Sequence, residues 1–297
     1  MVPPEATPDV PDTLYHYCGV GSFYAILTSK KIWVSHARFM NDYSEQTWFL
    51  EKARKRLAEL SKGEDKPFIE PLIKHFDEMG STPYVCCFSR EGDLLSQWRA
   101  YADDGAGFAL GFETKSLEEI GRTYLPTDNT QLWEVIYEDE DQTRHLDHYI
   151  QKYLQAVKVD GRPTDPGRTA LFAIWILAAI CKNRGFREEQ EFRFVGMVPH
   201  HPSSRYEDSR SRGPALETQF RVTERGVVPF FPLPFPEGAV KEIVLGPDNH
   251  ARKYDEALKA FLLASGYDVG GIKISLSETT YHSNRTSKDP THQIWVI

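Results

Sequence analysis

Cysteine is scarce in this chain: four in 297 residues, Cys18, Cys86, Cys87 and Cys181, two of them adjacent. Neighbouring cysteines rarely bridge each other, and no CxxC or Cys/His cluster has zinc-ligand spacing. That excludes a disulfide framework and a structural metal, and it reads as a cytoplasmic chain with reduced thiols. Long apolar runs are scarce too. The longest, residues 171–181, falls well short of the roughly 20 residues a membrane helix needs, so no membrane partner is expected. Residues 1–11 are Pro-rich and acidic and lack the apolar stretch of a signal peptide. There is no excess of positive charge: 35 Lys and Arg against 43 Asp and Glu give a net charge of -8. An all-over basic nucleic-acid clamp is excluded, although a local basic groove is not. GxGxxG after a strand, GxxxxGK[ST], the GxSxG elbow and HExxH are all missing. Rossmann, P-loop, α/β-hydrolase and zincin chemistries therefore have no motif to stand on.

What is present suffices for a folded core. Hydrophobic residues make up 40% and charged residues 26%, which excludes disorder, collagen and coiled coil as descriptions of the whole. No break in composition and no internal repeat divides the chain. The reading is a disordered lead-in over residues 1–12 and a single domain over residues 13–297. Period-two patterning predicts strands over 14–17, 32–35, 84–89, 107–112, 131–138, 189–198, 240–245 and 267–276. Helical spacing predicts helices over 21–29, 43–60, 94–101, 143–159, 167–183 and 250–265. Residues 200–218 read as a polar loop, and 227–235, interrupted by prolines, as an edge or loop. Helices and strands are mixed without a βαβ rhythm, so the class is α+β, with a single mixed domain.

Four clusters carry candidate chemistry. On the first strand, alternation puts His16 on one face and Tyr15 and Tyr17 on the other; His16 is either a polar contact to a ligand in a cleft or a buried histidine bonded to backbone. Asn41-Asp42-Tyr43-Ser44-Glu45 reads as a capping box opening a helix, with a ligand role for Asn41 or Glu45 as the alternative. Ser89 ends a strand, where side chains often reach a cleft. Trp98 and Tyr101 share a helical face and either plug the core or wall a pocket for a flat ring. The last cluster is Arg187-Glu188-Glu189-Gln190-Glu191-Phe192-Arg193-Phe194. Read as a strand, it sets Glu189, Glu191 and Arg193 on one face, which is costly unless that face is wet or lines a site. The carboxylates would serve acid/base work, hold a ribose and stabilise an oxocarbenium-like cation, or form a solvated salt-bridge ladder.

The ordered set Leu14-Tyr15-His16-Tyr17, Ile32-Trp33-Val34-Ser35, Asn41-Asp42-x-x-Glu45, Cys87-Phe88-Ser89, Trp98-x-x-Tyr101, Gly107 and Glu189-x-Glu191-x-Arg193, continuing to Tyr281, resembles the bacterial domain-of-unknown-function family 2971. The opening Tyr-His strand, helix and Lys-Ile-Trp-Val-Ser segment also resemble ADP-ribosyltransferases of the His-Tyr-Glu type. That second resemblance implies a split β-sheet core with flanking helices and an NAD-dependent transferase, a toxin or antiphage effector, acting on protein, DNA or RNA, with a possible neutralising partner. It implies NAD as substrate and no metal. His16, Glu191 and Glu189 would be catalytic. His16, Tyr17, Asn41, Ser89, Trp98, Tyr101 and Arg193 would contact the dinucleotide, with Tyr101 or Tyr43 stacking on nicotinamide. Lys182 and Arg187 are further candidates for the diphosphate. Arg205, Arg210 and Arg212 form a candidate nucleic-acid contact, or else a solvated loop. The alternatives are a non-catalytic nucleotide- or partner-binding module on the same fold, or a nucleoside or nucleic-acid hydrolase.

Overall fold

The computed structural model describes residues 10–39, 43–78, 82–124, 132–160, 164–198, 217–223, 226–253 and 255–282. The chain is a mixed α+β protein built on one mixed sheet with helices on both faces. Its strands are β1 (Thr13–Cys18), β2 (Lys31–His36), β3 (Thr82–Ser89), β4 (Phe108–Glu113), β5 (Leu132–Glu134), β6 (Glu191–Val198), β7 (Gln219–Thr223), β8 (Gly226–Pro234), β9 (Val240–Leu245) and β10 (Lys273–Leu276). The helices are α1 (Val20–Ser29), α2 (Tyr43–Leu60), α3 (Lys66–Glu78), α4 (Leu95–Tyr101), α5 (Thr114–Tyr124), α6 (Asp139–Asp160), α7 (Thr164–Ile180) and α8 (Asp255–Ala264).

The sheet divides around β3. One edge of β3 is filled along its whole length by β6, from Thr82↔Val198 to Ser89↔Glu191. The other edge is shared. Its first half meets β2 at Ser35↔Val85 and His36↔Tyr84, and its last residue meets β1 at Tyr15↔Ser89. β1 carries β4, β9 and β10 outward on one side, and β2 carries β8 and β7 on the other. Between these two wings, residues 86–88 of β3 face a gap.

Register sorts the side chains into two layers, because paired residues share a face. On one face, Leu14 and Cys18, Ile32 and Val34, Cys86 and Phe88, and Phe192 and Phe194 join Phe23, Ile26 and Leu27 of α1, Leu117 and Ile120 of α5 and Leu258 and Leu262 of α8. Each large apolar side chain buried there is worth about 1.5–3 kcal/mol over exposure. On the other face, Val85 and Val195 pack under α2, α3, α6 and α7. A smaller cluster of Tyr17, Trp98, Ala102, Ala109 and Val244 sits under α4. Gly107 joins this corner to β1: a Cβ there would lie 2.3 Å from the Cys18 carbonyl oxygen, so only glycine lets the chain leave α4 so close to the first strand.

Several boundaries differ from the sequence reading. The strand expected from Glu189 begins at Glu191. Gln190 has φ 43°, and residues Arg184–Glu189 form a 3-10 turn instead, so Glu189 and Glu191 are not neighbours on one strand face. Residues 227–235, expected as an edge or loop, form β8 inside the sheet. Its ladders to β2 and β7 overlap only at Phe230, so the prolines keep an open edge beside them. Helices α3 and α5 and strand β7 were not expected. Residues 267–276 are a strand only over Lys273–Leu276. Residues 10–12, expected to be part of a disordered lead-in, dock against the fold: the Asp12 carbonyl accepts from the Thr114 amide and Val10 packs on the core. Residues 1–9, Asn41, Asp42 and the Arg205–Arg212 region lie outside the described residues, as do the side chains of Tyr43 and Glu45.

Candidate functional site

The gap between β1 and β2 is a cleft of ≈ 200 Å³. Its walls are His16 of β1, Trp33 and Ser35 of β2, Cys87 of β3, Gln97 and Tyr101 of α4, Glu191 of β6 and Arg221 of β7, with Ser22, Ala25 and Ile26 of α1 beneath. The topology explains the opening. β1 and β2 are parallel and joined by α1, yet both lie along the same edge of β3, and the helix wedges them apart.

His16 closes the gap chemically. Alternate residues of β3 point their amide and carbonyl to the same edge; Val85 uses that edge for β2 and Ser89 for β1. Cys87, between them, has no strand opposite. Its carbonyl accepts from His16 Nδ1 at 2.9 Å. That bond fixes the neutral tautomer with Nδ1 protonated and leaves Nε2 as an acceptor. Burial depresses the imidazole pKa, against the carbonyl bond that raises it, with Arg221 adding to the depression.

Glu191 sits on the same side of the sheet as Cys87, in a buried tetrad. Its Oε2 accepts from Arg193 Nη2 at 2.7 Å and from Lys182 Nζ at 3.1 Å. Lys182 Nζ also reaches Glu189 Oε2 at 2.5 Å, and Arg193 Nη1 donates to the Ala179 carbonyl at 2.8 Å. Lys182, Glu189, Glu191 and Arg193 are 2%, 6%, 4% and 7% exposed. Two cations and two carboxylates cancel, which is what makes such deep burial tolerable. Burial pushes the Glu191 carboxyl up, but Arg193 and Lys182 outweigh it and hold the group below the usual carboxylate range. Cys87 donates its thiol to Glu191, and burial together with that carboxylate holds the thiol well above its ordinary value. Cys87 is therefore the common neighbour of His16, through its carbonyl, and of Glu191, through its thiol. As a protonated, half-buried thiol held by a carboxylate it is no nucleophile.

The remaining expected residues sort themselves by position. Tyr101 lines the cleft, and its hydroxyl is kept neutral mainly by burial. Tyr17 reaches the cleft wall, but its hydroxyl is committed: it donates to the Glu91 carbonyl at 2.8 Å and accepts from the Leu94 amide at 2.9 Å. Trp98 is fully buried, packs edge-on against Tyr17 and donates its indole N–H to Asp93 at 2.6 Å; it supports the wall from behind. Ser89 donates to the Glu189 carbonyl at 2.8 Å and does not line the cleft. Glu189 and Arg193 likewise stand behind Glu191. Arg187 pairs with Glu138 near the surface.

Five of the cleft-wall residues, Trp33, Ser35, Cys87, Gln97 and Arg221, had been given no ligand role by sequence reasoning. The signal for Arg221 was the alternation Gln219-Phe220-Arg221-Val222-Thr223, which marks a strand after the polar loop. The unbroken i, i+2 pairing of Trp33 and Ser35 likewise put both on one face. Among the described residues, no group of three or more His, Cys, Asp or Glu is arranged to hold a metal ion. Nor, among those residues, is any helix long and apolar enough to cross a membrane.

Comparison with curated proteins and with solved structures gives no match. A family model does match, over residues 97–194, described as a protein of unknown function (DUF2971). Those residues hold Gln97, Tyr101 and all four members of the buried tetrad, whereas His16, β2 and Arg221 lie outside them. From α4 to the middle of β6, the stretch that supplies the acidic wall of the cleft, the chain is similar to that family.

Proposed function

We propose that the chain is an NAD-consuming ADP-ribosyltransferase of the His-Tyr-Glu type, acting on a protein or nucleic-acid acceptor. The observation that carries this reading is the convergence of His16 and Glu191, far apart in the sequence, on one aromatic-walled cleft at a divided sheet. The division of the sheet between β1 and β2 accords with the split core that such enzymes have. In this reading NAD binds with its nicotinamide end in the cleft. The cleft is smaller than the roughly 300–1,000 Å³ of a pocket that swallows a drug-sized ligand, so the adenosine half lies outside it. His16 Nε2 accepts from a ribose hydroxyl, and Tyr101 supplies the flat wall for nicotinamide. The bond between ribose C1′ and the nicotinamide nitrogen breaks, its electron pair leaves with nicotinamide, and the acceptor nucleophile closes on C1′ and loses its proton.

Glu191 acts here by direction more than by net charge. Its Oε2 is already neutralised by Lys182 and Arg193, so its remaining acceptor capacity serves to orient a ribose hydroxyl and a developing cation in a dry site. Glu189 and Arg193 are positioning residues for that carboxylate. If the acceptor is essential to a cell or a virus, the role is that of a toxin or antiphage effector.

A second reading is a non-catalytic nucleotide-binding module on this fold. One observation favours it: the Glu191 carboxylate is charge-satisfied without any ligand. Nicotinamide release from NAD separates the two readings. The wild type is expected to release nicotinamide when cell lysate supplies an acceptor. Glu191→Gln, which keeps the side-chain shape, is expected to lower the rate on the order of 10²-fold or more. No release by folded wild type, with or without lysate, would leave the binding module standing.

A further inference from the structure

We propose that Arg221 and Ser35 form the anion subsite of the cleft, the place where a phosphate group of the ligand binds. The inference rests on the reading above only for the identity of that ligand as a dinucleotide; the subsite itself follows from charge and geometry.

Arg221 starts two strands away from the gap. From β7 its side chain crosses the face of β8, roughly 10 Å of sheet, over the Phe230 ring at 5.9 Å and onto the Trp33 ring at 4.9 Å from the guanidinium carbon. There Nη2 donates to Ser35 Oγ at 3.1 Å. The two rings, tilted 38° to one another, seat the cation beside the cleft that Arg221 lines. Such stacking is a preorganisation that arginine accepts and lysine does not.

Among the described residues no carboxylate pairs with Arg221, and its Nε is buried without a hydrogen-bond partner. What lies beside it in the cleft is neutral: the Ser35 hydroxyl and the His16 imidazole. The carboxylate across the cleft, Glu191, already has two cations of its own. Every other deeply placed charge in this wall is matched, and this one is left open toward a cavity. A guanidinium with free N–H donors, beside a hydroxyl, is the chemistry that receives a phosphate in a bidentate grip. The backbone amide of Cys87, which faces the same gap without a strand partner, is a further donor for the same group. Lys182, a sequence-level candidate for the diphosphate, is committed to Glu189 and Glu191 and is not available for this task.

The test is calorimetric titration of the full chain with pyrophosphate, ADP and adenosine at low salt. Wild type is expected to bind ADP and pyrophosphate and to bind adenosine at least about ten-fold more weakly than ADP, because adenosine lacks the anion. Arg221→Gln is expected to lose about ten-fold or more in affinity for ADP, and R221K to recover only part of it, since lysine keeps the charge but not the fork. Equal ADP binding by folded wild type and R221Q, or no binding of either phosphate probe to wild type, would overturn the proposal. These outcomes are independent of NAD cleavage: Arg221-dependent ADP binding without nicotinamide release would sink the transferase and keep the subsite, and release that is indifferent to Arg221 would do the reverse.

Discussion

The two ends of the cleft carry charge in opposite ways. At the Glu191 end two carboxylates and two cations are buried together and cancel. At the Arg221 end a single cation lies on two aromatic rings with a hydroxyl for company. The first arrangement is self-sufficient and braces α7, the Arg184–Glu189 turn and β6 against one another. The second is incomplete without a ligand. The difference separates charge that builds the frame from charge that waits for a partner, although Glu191 and Arg221 line one small cavity.

The largest effect should come from breaking the frame. Lys182→Met removes the one cation shared by Glu189 and Glu191 and leaves both carboxylates buried and under-compensated. Removing one partner from a buried ion pair costs about 3–5 kcal/mol, so denaturant titration of K182M should show a loss of that size. A loss under about 1 kcal/mol would mean that the tetrad is wet and not a brace. Acid should probe the same frame. The Glu191 carboxyl is held below its ordinary value in the fold, so its stabilising contribution is complete above the ordinary carboxylate pKa and is lost as pH falls below it. Wild type should therefore lose more stability between pH 6 and pH 3.5 than Glu191→Gln. Equal slopes in the two proteins would place the acid sensitivity elsewhere.

The frame was easier to read from sequence than the opening. Strand β1, with Tyr15 and Tyr17 on the face opposite Leu14 and Cys18, β2, β3 and α1 all follow from local periodicity, because each carries its apolar face in its own alternation. Glu191 was identified as a site residue, but on the assumption of an uninterrupted strand from Glu189. The left-handed Gln190 breaks that strand, and nothing in the residue type announces it. Trp98 and Ser89 were given cofactor contacts that the packing does not grant them: an indole that finds Asp93 and a hydroxyl that finds the Glu189 carbonyl are equally compatible with the one-dimensional pattern. Arg221 was invisible for a different reason. Its contribution depends on crossing β8, and the pairing of β8 with β2 joins segments some 200 residues apart, a contact that no local rule specifies.

A middle-sized effect is expected at the hinge between the wings. His16 supplies the donor that a missing strand would have given to the Cys87 carbonyl. Replacing it with alanine leaves a backbone acceptor unpaired beside the gap, at a cost of about 1–3 kcal/mol if water does not reach it. Because burial lowers the imidazole pKa, the folded state prefers the neutral ring. Its contribution is then present above the ordinary histidine pKa of about 6.5 and falls away as pH drops below it. Thermal unfolding of the wild type between pH 7.5 and 5.5 should decline more steeply than that of His16→Gln. Parallel curves would show that His16 takes up a proton as readily in the fold as in the unfolded chain, so that the fold does not favour the neutral ring.

The smallest stability effect is expected where the charge is open. Arg221→Met removes a cation that has paid for partial burial without gaining a carboxylate, and it keeps a flexible apolar stem over Trp33 and Phe230. Its unfolding free energy should stay within about 1 kcal/mol of wild type, with any shift in the stabilising direction, since an unpaired buried charge is a cost to the empty fold. Set against K182M, this makes the comparison quantitative: two cations, one behind the cleft wall whose loss costs the fold several kcal/mol and one in the wall whose loss the fold scarcely registers. A loss of more than about 2 kcal/mol in R221M would erase the contrast, because it would mean that the Arg221 stack on β2 and β8 is itself structural and that the cleft has no end left free for a ligand.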